Sequence, residues 1–210
     1  MITEFIETAG IVGYPLLLAA FLMIFIIIER TIVFLLNYRK INKEEYLAAV
    51  LNFNQSSSET SILKNKKGIA AEIYYNLLKK KPANSEEFNL YLDAAEVDKL
   101  PELEKHLGFL NFIAQVSPTL GLLGTVSGMI KTFQVLGVGG SPEQMALGIS
   151  EALFTTAAGL IISLPAAAFY HYFYAKIELL HNQLNNLRLE SESKLYKSES
   201  KELNNSEVSA

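Results

Sequence analysis

Cysteine is absent from this 210-residue chain, and no lysine or arginine precedes Arg30. The first absence removes disulfides, thiolate metal sites and cysteine nucleophiles. The second argues against a cleaved signal peptide, which opens on basic residues. MITEFIETAG instead carries Glu4 and Glu7, and the apolar run behind it outlasts a typical signal core. A retained helix is expected there. Motifs for chemistry on a bound substrate are missing too: there is no nucleotide-binding loop, no serine nucleophile elbow and no catalytic pair of carboxylates. His106, His171 and His181 have no histidine partner at i, i+3 or i, i+4, which argues against a metal site. The chain reads as a non-enzyme with no cofactor and no nucleic-acid partner.

Charge is scarce where the apolar residues gather. Half of the residues are hydrophobic and the net charge is −4, values that suit a soluble domain, but the apolar residues are too clustered for one. Ile11–Ile28 is an uncharged run, extended past Glu29 and Arg30 by Thr31–Leu36. Phe109–Leu136 holds only Lys131, and Ala146–Tyr174 holds only Glu151 before His171. At about 1.5 Å per residue each run is long enough for a hydrocarbon core of roughly 30 Å.

Three transmembrane helices follow, and the basic residues orient them. None precedes the first helix, and Arg30, Arg39, Lys40 and Lys43 lie at or just after its end. The link GVGGSPEQM has none, while Lys176, Arg188, Lys194, Lys197 and Lys201 follow the third. The expected fold is an all-α membrane protein with long cytoplasmic helical extensions, N-terminus outside and C-terminus inside. Its segments are an outer interfacial stretch (1–9), helix one (10–36), an inner helical region (37–107), helix two (108–136), a short outer link (137–145), helix three (146–174), an inner helix (175–195) and a disordered tail (196–210).

Within the outer stretch, Ile2, Phe5 and Ile6 have helical spacing, which fits either an interfacial helix or a frayed terminus. In the inner region, NFNQSSSETS reads as a turn or mobile loop. The spacing of Ile69, Ile73, Leu77 and Leu78 predicts a helix over Lys67–Lys81, stopped by Pro82. Asn84 with Glu87 reads as a capping box opening the next helix, and Pro101 as a kink before it merges with helix two. Ile177, Leu180, Leu184 and Leu187 form a narrow stripe. It suits either packing between subunits or an amphipathic helix folded on its own chain.

Helix two carries Ser117, Gly121, Gly124 and Gly128 on one face, and helix three answers with Gly148, Ala152, Gly159 and Ser163. Small faces let backbones approach closely in a membrane, so they are read first as packing surfaces. Pro118 and Pro165 each free a backbone carbonyl one turn earlier, as simple kinks or functional bends. Thr125 lies eleven residues inside the outer end of helix two and Thr156 ten residues inside that of helix three. Both are then about 15 Å deep, near the midplane, with Glu151 about 7 Å nearer the outside. A carboxylate in such a helix usually faces protein or a water-filled path. Glu151, Thr155, Thr125 and Thr156 together outline a polar route. Glu151 and Thr155 share a helical face, whereas Thr156 is turned about 140° from the acid. Lys131, near the outer end, is read as snorkelling to headgroups in preference to a functional role.

SPTLGLLGTVSGMIKTF followed by GISEALFTTAAGLIISLPAAAFYHYF resembles the ExbB/TolQ/MotA proton-channel family, in its ExbB or TolQ branch. The resemblance implies a stator subunit of the bacterial inner membrane, driven by proton-motive force. It further implies a homopentameric ring in membrane lipid around an ExbD/TolR-type single-helix partner, working with a TonB- or TolA-type protein. By motif, Thr125, Glu151 and Thr156 occupy the family's functional polar positions. Ser127 and Lys131 depart from the usual pattern. The competing readings are a small secondary transporter, which would normally show an internal repeat, and a structural scaffold, which leaves Glu151 unexplained.

The charge asymmetry makes a topological prediction. Asn54–Thr60 and the tail after Lys194 should be cut by protease in inverted vesicles and protected in intact spheroplasts; labelling of either from the outside would overturn the three-helix map.

Overall fold

Apolar runs of this length can satisfy their backbone polar groups only by coiling, and a computed structural model of the chain is built accordingly. It describes residues 10–38, 41–51, 63 and 68–207, with side chains as far as 195. Every element among the described residues is helical. A 3-10 turn at Gly10–Val12 leads into α1 (Gly13–Asn37), followed by α2 (Lys43–Leu51), α3 (Ile69–Lys79), α4 (Ser85–Lys99), α5 (Pro101–Glu104), α6 (Leu107–Gly137) and α7 (Pro142–Glu207). The interfacial stretch 1–9 and the loop NFNQSSSETS lie outside the described residues.

The chain divides into two compact units, the first of Met1–Arg30 with His106–Tyr174 and the second of Thr31–Lys105 with Ala175–Ala210. Three helices are long and apolar enough to cross a membrane, over Gly10–Asn37, Leu107–Gly137 and Pro142–Leu195. Only 28–33% of their most apolar windows is buried within the chain. Phe21, Phe25, Phe112, Ile130, Ile161 and Leu164 all face outward. An exposed apolar surface of that extent belongs in lipid or against other chains, not in water.

In the first unit α6 runs antiparallel to both α1 and α7. Lys131, near the C-terminus of α6, reaches the turn before α1, its Nζ 3.8 Å from where a Cβ on Gly10 would lie. At the other end of α6, His106 meets Glu29 of α1 through Nδ1 and Oε2, 2.7 Å apart. Glu29 also accepts from the guanidinium of its neighbour Arg30 at 2.7 Å. The α6–α7 link is shorter than the expected 137–145. Gly139, at a left-handed φ of 94°, closes α6, donating its N–H to the Leu136 carbonyl at 3.1 Å. Ser141 then caps α7: its hydroxyl accepts from the Gln144 N–H, and its own N–H donates to the Gln144 side chain. Pro142 at the first helical position needs no N–H partner, so α7 starts four residues before Ala146.

The second unit has its own core, with Tyr74, Phe88, Leu92 and Leu103 fully buried. The stripe Ile177, Leu180, Leu184 and Leu187 is buried there as well, so the chain itself covers the face that also suited a neighbouring subunit. Arg188 ties α7 to α4, donating to Asn89 and to Asp93, each at 2.6 Å. Asn84 caps α4 by accepting the Glu87 N–H at 2.8 Å. The return arm differs from a standard capping box, because the Glu87 carboxylate takes the Ala83 N–H one residue earlier.

Two expectations need correction. α4 does not bend at Pro101 and merge with α6. Pro101 starts the separate short helix α5, and the chain then turns at Lys105 and at His106, whose φ is 63°. A proline ring suits a helix start and obstructs a helix interior, which is why the break falls there. The helix α7 also continues through Glu207, past the expected tail boundary at 196; KSESKELNNSE contains neither proline nor glycine to stop it.

Glu96 of α4 is a buried acid in this second core, 9% exposed. Burial pushes its carboxyl above the ordinary range, against the opposing pull of His181 and Arg188. The folded state therefore holds this proton more tightly than the unfolded chain does. Stability falls as pH rises from the unfolded value through the raised folded one, and the cost is fully present above it. Glu96→Gln should accordingly melt higher than the parent at pH 8, with the gap closing at pH 4; an equal gap at both would contradict the assignment.

Candidate functional site

Glycine sets the spacing of α6 and α7. A Cβ built on Gly121 would lie 2.9 Å from both the Thr155 carbonyl and the Thr156 Cα, and one on Gly128 would lie 2.7 Å from the Ala152 Cβ. Reciprocally, a Cβ on Gly159 would lie 3.1 Å from the Gly121 Cα and would strike the Ser117 carbonyl. Gly124 meets Thr155, and Gly148 meets Thr132. Neither Pro118 nor Pro165 breaks its helix, and Ser163 returns its hydroxyl to the Leu160 carbonyl at 3.1 Å.

Close approach brings three hydroxyls onto two backbone carbonyls. Thr155 donates to the Gly121 carbonyl at 3.2 Å across the interface and to Ala152 of its own helix at 2.7 Å. Thr156 reaches the same Gly121 carbonyl at 3.0 Å. Thr125 lies 3.3 Å from both the Gly121 and the Ala152 carbonyls, and its hydroxyl meets that of Thr156. Each hydroxyl has one proton to give, so three protons serve six donor–acceptor lines. Rotation of the hydroxyls can therefore exchange one pattern of bonds for another without moving a helix.

Nearer the α6–α7 turn, the same seam opens into a cavity of about 400 Å³. Ser127, Lys131, Thr132, Gln144, Glu151 and Thr155 contribute its polar lining, and the turn Gly10–Val12 borders it. The α6 lining and the α7 lining each repeat at three and four residues, as one face of a helix must. Thr155 belongs both to this lining and to the threonine cluster, so it joins them. Thr156 does not line the cavity, in keeping with its angular separation from Glu151. Lys131 extends to the Gly10 turn beside the cavity.

Sequence reasoning missed Thr132, which packs on Gly148 and donates to the Gly128 carbonyl at 2.9 Å. Extending the small-residue face by one more turn would have found it. It also missed the Glu29–His106 pair, whose members are 77 positions apart and carry no pattern linking them.

The seam predicts opposite outcomes for two glycines of α6. Gly124→Ala puts a Cβ 2.8 Å from that of Thr155 and should destabilise by about 1–3 kcal/mol; Gly124→Leu, larger at the same contact, should destabilise more. Gly108→Ala meets nothing within 4 Å and should be neutral or gain up to about 1 kcal/mol. Thermal unfolding in detergent compares them, and equal effects would contradict the packing described.

The family model described as the MotA/TolQ/ExbB proton channel family matches residues 65–186, more than half of the chain. An ExbB-like biopolymer transport protein of Synechocystis sp. is 32% identical over 171 residues, covering 78% of this chain and 80% of that protein. The biopolymer transport protein ExbB of Aquifex aeolicus is 35% identical over 85 residues, 40% of this chain and 56% of its own length. The Tol-Pal system protein TolQ of Haemophilus influenzae is 37% identical over 90 residues, 42% and 40% of the respective chains. The chain thus spans less than two thirds of the latter two. The matched residues span the whole α6–α7 seam from Ser117 to Gly159, and the chain belongs to the MotA/TolQ/ExbB proton channel family.

Proposed function

We propose that this chain is the stator subunit of a motor driven by proton-motive force in a bacterial inner membrane. Copies form a ring, a pentamer by family resemblance, around an ExbD/TolR-type single-helix partner. The α6–α7 turn faces the periplasm and the second unit the cytoplasm, an orientation that the charge asymmetry of the sequence supports. The partner's acidic residue picks up and releases the proton. A TonB- or TolA-type chain carries the resulting movement to outer-membrane import or to envelope maintenance.

One observation carries this reading: the cavity holding Glu151 adjoins, through Thr155, a set of hydroxyls with more acceptors than protons. Hydroxyls that can both donate and accept are suited to passing a proton along, and threonines paired with each other tolerate a membrane interior. Family membership and the unburied apolar faces of all three long helices support the ring and its setting. The driving energy available is about 2.3 kcal/mol per charge per 100 mV.

Replacing Thr125 and Thr156 with valine keeps their volume and deletes their hydroxyls, and Glu151→Ala removes the acid. The triple variant should assemble with its partner and do no energised work. Loss of the assembled complex in step with activity would indicate a structural role instead, and near-normal activity would rule out the path. Glu151→Gln, which keeps hydrogen bonding without charge, should retain partial function.

A further inference from the structure

We infer that Lys131 makes the cavity it shares with Glu151 admit protons and refuse alkali metal ions. The inference rests on the path proposed above. Lys131 and Glu151 are the two ionisable groups lining the cavity among the described residues. Their order along the seam follows from its contacts. Gly128 meets Ala152 and Thr132 meets Gly148, so Glu151 lies level with Met129. Lys131 is two residues beyond that level, about 3 Å nearer the turn.

Without Lys131 the lining would suit a hard monovalent cation. A carboxylate, the hydroxyls of Ser127 and Thr132 and the amide oxygen of Gln144 are the oxygen ligands such ions prefer. The lysine changes that in two ways. Its charge opposes that of Glu151, and its compact ammonium repels a second cation in the same cavity. An alkali ion must shed water and occupy a coordination site, so it meets both obstacles. A proton relayed through water and hydroxyls exchanges hydrogen bonds in place and needs no such site. The ammonium lies beside the turn at Gly10, which itself borders the cavity.

The test uses the chain co-expressed with the proposed single-helix partner and reconstituted in vesicles. Proton flux is read with a pH-sensitive dye and sodium flux with radioactive sodium. The parent complex should carry protons with no sodium uptake above that of empty vesicles. Lys131→Met should raise the sodium-to-proton flux ratio by about tenfold or more, and Lys131→Arg should keep the parent ratio. Adding Glu151→Gln to Lys131→Met should return the ratio to the parent's, since the charged ligand is gone. An unchanged ratio in both Lys131→Met and Lys131→Gln, in complexes that assemble like the parent, overturns the role of Lys131 alone. Absence of proton flux in the parent complex overturns the proposed function and this inference with it.

Discussion

The approach of α6 and α7 at Gly121 and Gly159 governs the rest of the membrane-fit unit. With no Cβ on either residue, the Ser117 carbonyl and the Gly121 backbone come directly against α7. Between lipid-facing helices no hydrophobic force drives association, so contact must come from close packing and hydrogen bonds. The glycines supply the first and, by shortening the distance, permit the second. Only at this separation can Thr155 and Thr156 reach the Gly121 carbonyl of the other helix. The polar cluster is therefore a consequence of the packing surface, and the two readings of these faces, structure and chemistry, are not alternatives.

The same arrangement explains how a polar route can exist beside so much apolar surface. Each of the three threonine hydroxyls has a carbonyl within reach, which lowers the cost of holding it among apolar side chains. Glu151, in contrast, borders a cavity instead of being packed against a partner. That difference separates it from Glu29, which is held by Arg30 and His106 at the far end of α6.

The second unit is organised by ordinary soluble-protein rules. Its core is aromatic and aliphatic, and polar ties such as Arg188 to Asp93 lie at its margin. Glu96 is an exception, an acid whose carboxyl burial pushes above its ordinary range. The leucine stripe of α7 is buried within this unit, so the chain itself covers it. The unpartnered apolar surface lies instead on the membrane-fit helices.

Local pattern determined much of this protein. Runs without charge marked the three long helices, because a backbone in lipid has to be helical and its side chains apolar. The three- and four-residue repeats located the glycine face and the α7 stripe, since helical geometry alone aligns them. Counting residues from the helix ends placed Thr125 and Thr156 at one depth, and the structure joins their hydroxyls. Tertiary structure decided what depends on distance between segments. The sharing of the Gly121 carbonyl, the cavity between Lys131 and Glu151, and the pairing of Glu29 with His106 each need a specific separation of two helices. Periodicity reports which residues share a face; which face meets which, and how closely, is set by the side chains that are missing from the contact.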